Sequence, residues 1–192
     1  MVAAKKVSRS DALLVLVDMQ ERLADAMPRR DAVIASAALL ARVAACLGIP
    51  AIVTRQYPRG LGETAPELAE ALGGLVPIDK TAFSCMGDPA FRERLAVLAR
   101  RQVLLTGMET HICVTQTALD LLAEGYDVYV VADATCSRRD ADRDAAFERL
   151  RGAGATVLTS ESAIYEVLGE ADTPEFRQVL PLVKAHDPGG SA

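Results

Sequence analysis

The sequence predicts an α/β fold, a single three-layer α/β/α domain on a six-stranded parallel sheet. Three observations predict it. Short, dense apolar runs alternate with longer stretches of helical spacing, glycine and proline punctuate the joins, and 192 residues suffice for one sizeable core without a second domain. The domain is expected over residues 1–186, with 187–192 as a flexible tail.

The elements follow in order. Ala12–Val17 (ALLVLV) is an unbroken apolar run, as a strand buried on both faces requires. Asp31–Leu47 carries Ala, Leu and Val at three- and four-residue spacing, and Gly48-Ile49-Pro50 ends it as a helix C-terminus. Ala51–Arg55 reads as the second strand. Gln56–Gly74 holds Pro58, Gly60, Gly62, Pro66, Gly73 and Gly74, which predicts a long, functional loop with a short helix at Pro66–Ala71. Leu75–Asp79 is a third strand. Asp88–Arg100 is a helix with Asp88 as N-cap and Pro89 in its first turn. Val103–Thr106 is a fourth strand, and His111–Glu124 is an amphipathic helix stopped by Gly125. Asp127–Ala132 (DVYVVA) and Thr156–Thr159 complete the strands. Ala141–Gly152, Ser160–Leu168 with Ser160 as cap, and Thr173–Val183 complete the helices.

Composition narrows the function classes. A formal net charge of -5, with no basic stripe and no aromatic-interleaved Lys/Arg run, disfavours a nucleic-acid partner. The apolar run that follows Lys5 and Lys6 ends at Asp18, too early for a signal sequence, and no stretch reaches membrane length. Cys46, Cys85, Cys113 and Cys136 are widely spaced with no C-x-x-C pair, so free thiols, a reducing compartment and a cytoplasmic location are expected.

In an open parallel sheet, functional side chains collect where strands end and the strand order reverses. Asp18 follows the first strand, Lys80 the third and Cys113 the fourth. In the order 3-2-1-4-5-6 the first and fourth strands are neighbours, which brings Asp18 and Cys113 together, while Lys80 must reach in. Cys113 near a helix N-terminus is expected to have a lowered thiol pKa. Asp18 is then a candidate proton acceptor, Lys80 a group that holds Asp18, and the helix N–H groups candidate oxyanion donors. Taken singly, each residue has an ordinary reading: a small buried hydrophobe, a turn residue and a solvated surface charge.

Three segments change that balance: VLVDMQERL (15–23), DKTAFSC (79–85) and LLTGMETHICVTQTALDLLAEGYDVYVVADATCSR (104–138). Together they resemble the isochorismatase-like cysteine hydrolases over nearly the whole chain. The resemblance implies an Asp–Lys–Cys triad on Asp18, Lys80 and Cys113, and a cis peptide between Met108 and Glu109. It also implies an oxyanion hole from the backbone N–H groups of Glu109 and Cys113, and a thioester intermediate.

The stretch Thr54–Leu61 contains no His and no Asp, unlike the metal-binding stretch of the similar nicotinamidases, so neither a metal nor a cofactor is expected. True isochorismatases lack the nucleophilic Cys, which argues against vinyl-ether cleavage. The T-x-Q-Y-P-x-G-L-G loop and E-x-H-x-C sequence most resemble isochorismatase-domain-containing proteins of uncharacterised substrate. By that resemblance Gln20, Gln56, Tyr57, Phe83, His111 and Ile112, with Glu109, are candidates to line a small-molecule pocket. Tyr57 and Phe83 equally suit ordinary packing, and His111 suits a hydrogen-bonding cap. Cys85 and Cys136 fall at strand ends and could approach the site, whereas Cys46 reads as packing. A homo-oligomer, dimer or larger, is expected. A non-catalytic scaffold and a redox-responsive thiol protein remain as alternatives on the same fold.

Overall fold

An apolar run without polar interruption belongs at the centre of a sheet. β1 (Ala12–Val17) takes that place, buried throughout, between β2 (Ala51–Gln56) and β4 (Gln102–Met108). The computed structural model describes residues 6–186; the tail expected at 187–192 lies outside them. The sheet is parallel, six-stranded and ordered β3-β2-β1-β4-β5-β6, with β3 at Ile78–Lys80, β5 at Asp127–Cys136 and β6 at Thr156–Leu158.

The two-residue period of the strands divides the core. Leu14, Leu16, Leu104 and Tyr129 face α2 (Arg30–Leu47) and α8 (Ser160–Leu168), with α9 (Pro174–Lys184) joining that layer. Leu13, Val15, Val103 and Leu105 face α5 (Pro89–Leu98), α6 (Thr115–Ala123) and α7 (Asp140–Ala153). The result is a three-layer α/β/α domain.

Local signals act as expected at several joins. Gly48 ends α2 in the left-handed region at φ 68, and the Ile49 N–H returns to the Ala44 carbonyl at 2.8 Å. Asp88 caps α5 by accepting from Ala90 N and Phe91 N at 2.9 and 3.2 Å, with Pro89 in the first turn. Three short helices lie in the two long connections: α1 (Glu21–Asp25), α3 (Pro58–Leu61) and the expected α4 (Pro66–Ala71). α1 and α3 are too short for periodicity to reveal.

Most boundaries fall within two residues of expectation, and the larger differences have local causes. The third strand begins at Ile78 rather than Leu75, since Gly73 and Gly74 have positive φ and Pro77 has no N–H for a ladder. β5 runs on to Cys136, because the register slips between Leu105 and Gly107 and lets the strand resume pairing at Thr135. The expected helix at His111–Glu124 is split into a π turn (Thr110–Val114) and α6. Ser160 does not cap α8: Thr159 accepts from Ser162 N, while the Ser160 N–H and hydroxyl donate to Asp133 at 2.7 and 2.5 Å.

One glycine is required by a close approach. Gly107 stands opposite Val17 in the β1–β4 register at φ 125, where a Cβ would meet the Val17 main chain.

Candidate active site

β1 ends at Val17, and Asp18 turns the chain off the sheet in the left-handed region at φ 54, a conformation Asp tolerates better than most residues. Its N–H donates to the Thr54 carbonyl at 3.2 Å, so β2 still guides the backbone there. The carboxylate is fully buried and both oxygens are engaged. Oδ1 accepts from the Thr54 hydroxyl at 2.7 Å, and Oδ2 accepts from Lys80 Nζ at 2.6 Å.

Lys80 closes β3 directly beside Gln56 of β2, so the parallel register sets both residues side by side. Its side chain has no solvent exposure, like that of Asp18. Nζ also donates to Gln56 Oε1 at 2.7 Å and to the Ala82 and Phe83 carbonyls at 3.1 and 3.2 Å. A buried ammonium needs this many acceptors, because desolvation is otherwise too costly.

Cys113 comes from the π turn after β4, and its buried thiol lies close enough to the Asp18 carboxylate for the two to interact. The expectation of a lowered thiol pKa is corrected here. Burial, reinforced by the Asp18 charge and only partly opposed by Lys80, pushes the Cys113 thiol up to about 12. The resting group is therefore a thiol. Burial likewise pushes the Asp18 carboxyl up from 3.8 against the lowering effects of Lys80 and Thr54, which makes it a better proton acceptor than a solvated Asp.

Of the two cysteines at strand ends, Cys85 adjoins the cluster, with Sγ 3.8 Å from the Thr54 hydroxyl and a thiol pushed up to about 11 by burial. Cys136 pairs with Met108 in the sheet, and burial pushes its thiol up to about 12.

Gln20 is fully buried; its amide donates to the Gln56 and Gly62 carbonyls and accepts from Gln56 N. Gln56 Nε2 donates to the Thr81 carbonyl at 2.8 Å. Both amides are thus bonded within the protein. Tyr57 is 55% exposed and lines an open groove of about 640 Å³ with Arg59, Lys80 and Thr81. Phe83 is also exposed. His111 Nδ1 lies 2.9 Å from the Ser137 hydroxyl, Ile112 packs against the core around Cys113, and the Glu109 carboxylate is held by Arg138 at 3.0 Å. The Met108–Glu109 peptide is cis.

Thr54 is the site residue that sequence reasoning missed. Its only signal was position, one strand over from Asp18. Thr54→Val keeps the shape and removes a hydrogen bond to a charged group, so a loss of about 1.5–3 kcal/mol in urea unfolding is expected; an unchanged midpoint would deny that bond any weight.

Among the described residues no group of three or more His, Cys, Asp or Glu could hold a metal ion, and no helix is long and apolar enough to cross a membrane.

The isochorismatase domain model matches residues 12–162, a span that contains Asp18, Lys80 and Cys113. The chain belongs to the isochorismatase family. Isochorismatase domain-containing protein 2 of Bos taurus is 42% identical over 187 residues, 97% of this chain and 89% of that protein. Among solved structures, the MAR1 ribonuclease from Caenorhabditis elegans matches with a TM-score of 0.89 at 39% identity, over 98% of each chain. YcaC from Pseudomonas aeruginosa, solved with hexane-2,5-diol and covalent acrylamide, matches at 0.87 and 27% identity, over 98% of this chain and 95% of its own. Membership places the chain among the isochorismatase-like hydrolases.

Proposed function

We propose that the protein is a metal-independent cysteine hydrolase acting on a small-molecule amide or related acyl compound, with Cys113 as nucleophile. The observation that carries this reading is a buried thiol beside a buried carboxylate that a buried ammonium holds in place.

In the proposed cycle Asp18 takes the thiol proton as Sγ bonds to the carbonyl carbon. The backbone N–H groups of Glu109 and Cys113 receive the resulting oxyanion. Collapse breaks the C–N bond, the leaving amine takes the proton from Asp18, and an acyl thioester remains. Asp18 then takes a proton from water as it attacks, and returns that proton to the departing sulfur. Lys80 stays charged throughout and holds Asp18 in line.

A second reading, RNA cleavage, is favoured by the name of the Caenorhabditis elegans structure. The net charge of -5 opposes it, since phosphate neutralisation supplies most nucleic-acid affinity. A redox-responsive thiol is favoured by Cys85 beside the cluster. A pure scaffold is disfavoured, because a buried Asp–Lys pair beside a thiol costs desolvation without serving assembly. Free thiols support a reducing, cytoplasmic setting, and exposed Val76 and Val97 support a homo-oligomer, dimer or larger.

The deciding experiment is ammonia release from a panel of small amides by wild-type protein and Cys113→Ala, with an RNA substrate run in parallel. Turnover of an amide, reduced at least about 10³-fold in the variant, is expected. Amide turnover that survives the substitution overturns the nucleophile, and RNA cleavage without amide turnover overturns the substrate class.

A further inference from the structure

We infer that Gln56 is a positioning residue for the proposed hydrolase: it fixes the buried ammonium of Lys80 on Asp18, and Gln20 in turn locks Gln56. The inference rests on the reading of Asp18 as the proton acceptor.

An ammonium has three hydrogens, and four oxygens surround Lys80 Nζ. Two approach closely, Asp18 Oδ2 at 2.6 Å and Gln56 Oε1 at 2.7 Å, while the Ala82 and Phe83 carbonyls stand off at 3.1 and 3.2 Å. Gln56 is therefore the short neutral anchor that accompanies the carboxylate. Its amide cannot turn over without losing the bond from Nε2 to the Thr81 carbonyl, so the oxygen stays aimed at Nζ.

The backbone of Gln56 is held as firmly. Gln20 Oε1 accepts from Gln56 N at 2.7 Å, and Gln20 Nε2 donates to the Gln56 carbonyl at 3.1 Å and to the Gly62 carbonyl at 2.8 Å. Gln20 N donates to the Asp18 carbonyl at 2.9 Å, which closes a ring through Asp18, Lys80, Gln56 and Gln20. The ring joins the ends of β1, β2 and β3 around one ammonium.

The neutrality of Gln56 matters. It satisfies one N–H without competing for the charge, so the ammonium's field acts on Asp18. A carboxylate at position 56 would divide that charge and add a negative neighbour. The titratable groups bearing on Asp18 are Lys80 from β3, Cys113 from the π turn and Cys85 from the turn before α5. On the outer side Arg55 is paired with Asp79 and Glu63.

The test needs no substrate: acrylamide labelling of Cys113 in the full chain, resolved to that residue by mass spectrometry, as a function of pH. In wild-type protein the rate falls on the acid side as Asp18 takes up a proton. Asp18→Asn is expected to remove that limb. Gln56→Glu, nearly isosteric, is expected to move the limb up by at least about half a pH unit, a shift that a merely structural residue would not produce. Gln20→Leu adds no charge and is expected to slow labelling about fivefold or more at every pH without moving the limb; it also serves if Gln56→Glu fails to fold. A limb in Gln56→Glu that coincides with wild type, or undiminished labelling in Gln20→Leu, overturns the positioning role. Loss of the limb in Asp18→Asn shows at the same time that the base reading survives. A wild-type protein that acrylamide does not label, or an Asp18→Asn profile identical to wild type, overturns the base reading and the inference with it.

Discussion

Lys80→Met lowers the stability of the protein by about 3–5 kcal/mol at neutral pH, the usual cost of removing one partner from a buried ion pair. Neither side chain of the Lys80–Asp18 pair is exposed, so water cannot replace the ammonium. Methionine fills the stem but leaves Asp18 Oδ2, Gln56 Oε1 and two carbonyls without their donor. Set against a typical total of about 5–15 kcal/mol, the variant is close to unfolding.

The deficit also has a predicted pH dependence. Burial already raises the Asp18 carboxyl above 3.8, and loss of Lys80 raises it further. A carboxyl with a raised folded-state pKa carries no penalty below its unfolded value. The penalty grows as pH rises through the folded value, where the buried group must ionise or the fold must open. Urea midpoints are therefore expected to differ more from wild type at pH 8 than at pH 5. Equal deficits at the two pH values, or a deficit under about 1 kcal/mol, would show that the pair does not bear the load assigned to it.

Gly107→Ala is expected to cost about 3–5 kcal/mol, combining an unfavourable backbone region with overpacking against main chain. At φ 125 an L residue is strained, and the added Cβ falls on the Val17 carbonyl oxygen and within 2.7 Å of Val17 N. No flexible side chain is there to give way. Val17 precedes Asp18, so the displacement carries into the carboxylate, and Cys113 labelling is expected to fall with stability. Gly48→Ala is the control: φ is also positive, but nothing lies within 4 Å of the new Cβ, so a loss of only about 1 kcal/mol with normal labelling is expected. Similar costs at the two glycines would sink the close-approach account.

Much of this protein was legible from local chemistry. The unbroken run Ala12–Val17 reads as a central strand because no polar residue interrupts it, and the structure buries all of it. The Gly48-Ile49-Pro50 stop and the Asp88-Pro89 start act through backbone rules confined to a few residues, so they hold whatever packs around them. Ser160 misled for a related reason. It has cap chemistry at a helix start, but Asp133, brought near by the slipped β5, claims its hydroxyl and N–H, and Thr159 caps instead. The third strand starts later than its apolar residues suggest, because Leu75 and Val76 precede Pro77, whose missing N–H counts only once β2 lies alongside.

What the sequence by itself determined is the family and the run of strands and helices along the chain, with Asp18, Lys80 and Cys113 as candidates at three strand ends. Strand ends, glycine and proline stops and motif spacing are properties of neighbours along the chain. What only the tertiary structure decided is how those three residues are charged and held. Thr54 reaches Asp18 across 36 residues of sequence and Lys80 across 62. Gln20 and Gln56, candidates for a pocket, bond instead to backbone and to Lys80. Cys113, expected to be acidified by a helix end, has its thiol pushed the other way by burial and a carboxylate neighbour. Proton affinity depends on the dielectric and the charges within a few ångströms, and those are assembled only when distant segments fold together.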